Sequence, residues 1–125
     1  MQRVLQVAVW LCQAMLAAMF LFAGSAKFTR PVWARMFARW GYPDDFYLLI
    51  GAVEVVAGAA LLVPRLAAPA ALVLLVVMIG AGLTHLLHGE QQRLPQILVM
   101  STLLGIVAYG RWSRFRSGSR RRKTV

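Results

Sequence analysis

The sequence predicts an all-α protein, a four-transmembrane-helix bundle with a short interfacial amphipathic helix between helices 1 and 2. Three observations carry that prediction. Hydrophobic residues make up 60% of the chain, beyond ordinary soluble composition. Apolar runs near twenty residues recur, long enough to cross a core of about 30 Å as helix, while alternating barrel-like segments of about ten residues do not. The positive charges lie outside those runs. At 125 residues the chain is one small domain by length.

The first span is expected over about 4–26. Its end, Gly24-Ser25-Ala26, has the small residues of a signal-peptidase site, but the apolar stretch is longer than a signal peptide's and only Arg3 precedes it, so it reads as a helix that stays. At about 100° per residue, Gln6, Gln13, Ala17, Phe20, Gly24 and Lys27 fall on one stripe, which should face the bundle. Residues 31–40 are too short and too charged to span. Thr29 or Arg30 suits an N-cap, Pro31 the first turn, and Gly41 with Pro43 a stop. Trp33, Met36, Phe37 and Trp40 share a face opposite Arg35 and Arg39, the pattern of a helix lying in the membrane interface, either as an anchor or as a lid over a lateral entrance. Further spans are expected over about 46–63, 66–87 and 94–112, with a tight turn at Pro64-Arg65. Pro69 falls in a first turn and costs no helical hydrogen bond.

Four spans put both termini on one side. That side collects nine Lys and Arg, namely Arg3, Arg65, Arg111, Arg114, Arg116, Arg120, Arg121, Arg122 and Lys123. The other side holds five: Lys27, Arg30, Arg35, Arg39 and Arg93. Both termini are therefore expected to be cytoplasmic, in a multi-pass protein of a bacterial inner membrane. The net charge of +10 does not indicate nucleic acid, because a basic segment directly after an apolar run is what anchoring on anionic lipid requires. Residues 113–125 are basic, poor in apolar side chains, and expected to form a disordered tail. The single cysteine, Cys12, lies within an apolar run and has no partner in the chain for a disulfide.

Glu54 is the residue that apolar patterning does not explain. An acid at the centre of a spanning helix costs about 2.5–3.5 kcal/mol, so such residues face the bundle interior and find a partner. Gly51 and Gly58 flank it on the same face and permit close helix approach. Counting from the outer ends at 1.5 Å per residue puts Ser101 and Thr102 at its depth, about 12 Å in, and Ser101 forms a small-residue pair with Gly105. Ala81, Thr84, His85 and His88 make a stripe rising to the outer surface. Because Cβ vectors tilt toward each helix's N-terminus, Lys27 and His85 lean into the membrane and Glu54 leans out. The expected site is Glu54, open to the outer side, with His85 and Lys27 above it and Ser101 or Thr102 beside it. A direct Lys27–Glu54 contact would have to cross most of a depth difference of about 12 Å, so a bridge through water or His85 is favoured.

Each member also has a structural explanation. Glu54 suits protonated interhelical glue, Lys27 a snorkelling interface residue, and Gln13 a helix-to-helix hydrogen bond. Two histidines without a third ligand at metal spacing do not make a metal or haem site.

The residues Gly24-Ser25-Ala26-Lys27-Phe28, Gly51 to Gly58 around Glu54, Leu61-Leu62 before Pro64-Arg65, and a small-residue helix ending Thr84-His85 together resemble the DoxX and DoxX-like family of small four-helix membrane proteins. That resemblance implies a compact bundle and a place in quinone-linked redox metabolism, since the family's name comes from a subunit of a thiosulfate:quinone oxidoreductase. The chain carries no flavin, haem or iron–sulfur motif. The expected function is therefore an accessory subunit beside an oxidoreductase partner, with quinone or a similar lipid-like amphiphile as ligand; the sequence assigns no residue a catalytic role and leaves open whether the chain is an enzyme. The alternative is a structural or assembly partner without a ligand. A proton-coupled transporter ranks below both, because Gln6, Gln13 and Cys12 offer the inner half little polarity.

Overall fold

The computed structural model describes the backbone of residues 2–124 and the side chains of residues 3–116. Within these bounds the chain is all-α. Helix α1 covers Gln2–Thr29, α2 Pro31–Arg39, α3 Phe46–Ala60, α4 Ala67–Leu87 and α5 Leu94–Thr124, with a 3-10 turn at Gln91–Arg93 before α5. No strand occurs among the described residues.

The helix boundaries have local causes. Arg30 is the N-cap of α2 in extended geometry and Pro31 occupies the first turn, where its missing N–H and preset φ favour a helix start. The chain leaves α2 through Gly41 at φ +88°, a left-handed conformation that glycine adopts without strain. Helix α3 ends at Ala60, three residues before the predicted end of the second span. Leu62 N–H and Val63 N–H donate to Ala59 and Ala60, tightening the last turn to i→i−3 spacing ahead of Pro64. At 15 residues, α3 is about 22 Å long, shorter than a hydrocarbon core of about 30 Å. Three helices, over Arg3–Thr29, Ala67–Leu87 and Gln91–Arg116, are long and apolar enough to cross a membrane, and α3 is a shorter apolar helix. Helix α5 runs on to Thr124, through the segment for which composition predicts disorder. Arginine and lysine are good helix formers, and extending an existing helix avoids the cost of nucleating one.

The four long helices form a ring. Helix α1 packs on α3 and α5, and α4 packs on α5 and α3, so α3 and α5 lie across the diagonal. Leu16, Ala17, Phe20, Leu61, Leu74, Met78, Met100, Leu104 and Val107 fill the centre. The predicted inward stripe of α1 is buried from Gln13 through Ala17, Phe20 and Gly24 to Lys27, while Gln6 is exposed. The outer surface is apolar, with Leu5, Leu11, Phe22, Val56, Val76, Ile79, Leu83, Leu98 and Val99 exposed. Monomeric soluble proteins rarely expose so much contiguous apolar surface, whereas lipid is a suitable solvent for it.

The α1–α3 crossing is the closest approach. A Cβ added to Gly24 would lie 2.7 Å from the Gly51 carbonyl oxygen and 2.9 Å from Val55 N, and one added to Gly51 would lie 2.9 Å from Lys27 Cβ. Glycine is required on both sides, and the glycines around Glu54 serve α1. The predicted Ser101/Gly105 pair makes no such contact, since nothing lies within 4 Å of a Cβ on Gly105.

Candidate functional site

The Gly24/Gly51 crossing sets the position of the chain's buried ion pair. Lys27 lies one turn beyond Gly24 on α1, and Glu54 one turn beyond Gly51 on α3. Because Lys27 Cβ packs directly against Gly51, the two residues differ in depth by only one turn of α3, about 4.5 Å. Each side chain leans toward its own helix N-terminus, which in this antiparallel pair is toward the other. Lys27 Nζ reaches Glu54 Oε1 at 2.6 Å. The contact is direct, contrary to the expectation of a bridge through water or His85. Depth counted from span ends overestimated the separation, because the ends of α1 and α3 are not level.

Lys27 is 6% and Glu54 3% exposed, so the pair is shielded from solvent. Its geometry is incomplete: Oε1 is held by charge at short range but has no aligned hydrogen-bond donor among the described residues. On its other side Lys27 Nζ stands 4.3 Å from the centroid of the Trp33 ring of α2, a cation–π contact. Helix α2 thus covers this end of the bundle with its aromatic face, and Phe37 is buried against Trp33, Trp40, Tyr42, Phe46 and Tyr47. Arg35 and Arg39 are exposed, as their spacing predicts.

His85 is buried at the same end but joins a different cluster. Its Nδ1 lies 3.0 Å from Glu90 Oε1, which also accepts from Trp40 Nε1 at 3.0 Å. The imidazole meets the Trp40 ring edge to face. Glu90 follows α4 and lies outside the spanning segments; its hydrogen bond from His85 is the main cause holding its carboxyl below the usual carboxylate range, helped by Trp40. Thr84 is hydrogen-bonded to the Tyr42 hydroxyl, and His88 Nδ1–H donates to the Thr84 carbonyl at 2.8 Å. The polar stripe of α4 is thereby tied to α2 and to the loops around it. None of the described hydrogen bonds or ion pairs joins His85 to Lys27 or Glu54.

Ser101 and Thr102 lie on α5, diagonal to α3, so equal depth does not bring them beside Glu54. Thr102 Oγ1 donates to its own helix at Leu98 O, 2.8 Å away, and is exposed. Of the five predicted ligand-site residues, the structure joins Lys27 and Glu54, places His85 in a neighbouring cluster, and separates Ser101 and Thr102. Trp33, Trp40 and Glu90 were not predicted as partners. Glu90, five residues after His85 in a short connection, offered the one available signal.

A second polar cluster lies toward the termini. Gln13 Nε2 donates to Leu61 O at 2.7 Å, as helix-to-helix glue would. Gln13 Oε1 accepts from Arg111 Nε at 2.6 Å, and the Arg111 guanidinium stands 5.1 Å from the Trp10 ring centroid. Arg111, counted among the positive charges on the side of the termini, is 4% exposed, where an anchoring charge would be expected at the surface. No group of three or more His, Cys, Asp or Glu suited to a metal occurs among the described residues.

Fold, apolar exterior and buried polar pairs together define a helical membrane protein. The DoxX-like family model matches residues 11–109, most of the chain. The chain belongs to the DoxX-like family. No curated protein and no solved structure matches it.

Proposed function

We propose that this protein is an accessory subunit of a quinone-linked membrane oxidoreductase system, and that the Lys27–Glu54 pair beneath α2 receives the head group of a quinone or similar amphiphile. The observation that carries this reading is the open geometry of the Lys27–Glu54 pair, in which Glu54 Oε1 is buried without an aligned donor among the described residues. An ammonium has three donors, and here it has one carboxylate oxygen at 2.6 Å and an aromatic face. A ligand carbonyl oxygen could accept one of the remaining N–H groups, with its ring near Trp33 and its tail between helices and lipid. With four crossings, the Lys and Arg distribution favours cytoplasmic termini, which puts this end at the outer leaflet. Detergent-purified protein should be enriched in lipid-soluble quinone over empty membranes, and a Lys27→Met/Glu54→Leu double variant should not. Absence of enrichment in the wild-type protein would reject the ligand.

The direct ion pair and the Gly24/Gly51 contact favour a second reading, an assembly partner in which the pair only fastens α1 to α3. In that case the double variant, which removes both charges together, retains folding, partner recovery and function alike. Folding retained with function lost supports the ligand site.

A further inference from the structure

The termini end of the bundle presents a groove between α1 and α5 of about 680 Å³. Its lining is apolar at Leu5, Val9, Ile106 and Tyr109, and Gly105 leaves it open. Arg111, Arg114, Gln6 and Ser113 line the same groove. The guanidinium of Arg111 is buried and held from one side by Gln13 and Trp10, while its Nη2 is buried with no hydrogen-bond partner among the described residues.

None of the Asp and Glu side chains serves that group among the described residues. The four acids of the sequence are Asp44, Asp45, Glu54 and Glu90. Glu54 is paired with Lys27, Glu90 with His85 and Trp40, and the two aspartates precede α3 at the opposite end. A buried guanidinium needs an anion or hydrogen-bond acceptors to be tolerated in an apolar setting. Arg111 and Arg114 both lie outside residues 11–109 matched by the family model, so family membership by itself says nothing of them.

We propose that this groove binds one anionic phospholipid, its phosphate on Arg111 and Arg114 and an acyl chain along the apolar lining at Gly105. Arginine's planar fork pairs with phosphate oxygens in a bidentate manner, and an apolar lining in the same groove as charged side chains matches a lipid better than a free anion. The site differs from general attraction of a basic tail to a membrane surface, because it requires a buried guanidinium and an open groove.

Native mass spectrometry of the full chain, with added phosphatidylglycerol or phosphatidylcholine, tests this. One phosphatidylglycerol should bind about tenfold more tightly than phosphatidylcholine, because both lipids offer a phosphate but only phosphatidylcholine brings a quaternary ammonium, a like charge, beside the two guanidiniums. Arg111→Gln should abolish that preference. Gly105→Phe puts a ring into the groove from a position where an added Cβ meets nothing within 4 Å and should abolish it with thermal stability unchanged, which covers the case in which Arg111→Gln fails to fold. The combined variant Arg120→Gln/Arg121→Gln/Arg122→Gln/Lys123→Gln should leave it intact. Equal binding of the two lipids overturns the proposal, as does a preference that survives Gly105→Phe or vanishes with the tail charges. Displacement of the lipid by inorganic phosphate alone, together with indifference to Gly105→Phe, identifies a free-anion site and also overturns it.

Discussion

Glu54 and Lys27 show how closely a polar pair in a membrane helix depends on one neighbouring contact. Their salt bridge exists because Gly24 and Gly51 let two backbones meet. Removing one partner of a buried pair costs about 3–5 kcal/mol, while replacing both with apolar residues is often neutral. Glu54→Ala should therefore unfold more readily than wild type by that amount in detergent, and Lys27→Met/Glu54→Leu should recover most of the loss, a cycle read by thermal unfolding. The glycines separate in the same way. Gly24→Val places new atoms against backbone that cannot yield and should prevent α1–α3 packing. Gly80→Ala meets nothing within 4 Å and should be neutral, or stabilising by up to about 1 kcal/mol. At this scale the sequence made Glu54, Lys27 and the leaning of their side chains legible, because helical periodicity and Cβ direction are local. Neither the diagonal position of Ser101 and Thr102 nor the burial of Arg111 is local. Both depend on which helices are neighbours.

Among the elements, α2 was the most legible, because proline, glycine and aromatic spacing each mark one of its features. Its place as an anchor or lid is an expectation of the sequence, while the contacts it makes there, Trp33 over Lys27 and Trp40 on Glu90, came only with the structure. The Glu90 contact should make the α2–α4 junction acid-sensitive. Glu90 has a folded-state pKa below its ordinary 4.5, so its contribution to stability is fully present above that ordinary value and is lost as pH falls through the lower folded value. Wild-type protein should lose thermal stability on acidification below about pH 4.5, and Glu90→Gln should show a smaller loss over the same window. Identical profiles would mean that the His85–Glu90 contact has no share in holding the junction.

For the whole molecule, length, apolar fraction and charge placement identified a helical membrane protein before any coordinates. They did so because lipid leaves few architectures in which backbone hydrogen bonds are satisfied. The same composition could not reveal that α3 is short, that α5 continues beyond the apolar run, or that polar residues gather in separate clusters toward the two ends. The cluster under α2 is the ligand site proposed above, and Trp33 stands in it over Lys27. In a variant that keeps Trp33 as its one tryptophan, titration with a short-chain quinone should quench the fluorescence saturably at one equivalent per chain, and Lys27→Met/Glu54→Leu should abolish saturation. Linear, unsaturable quenching that is the same in both proteins would contradict a quinone site at Lys27.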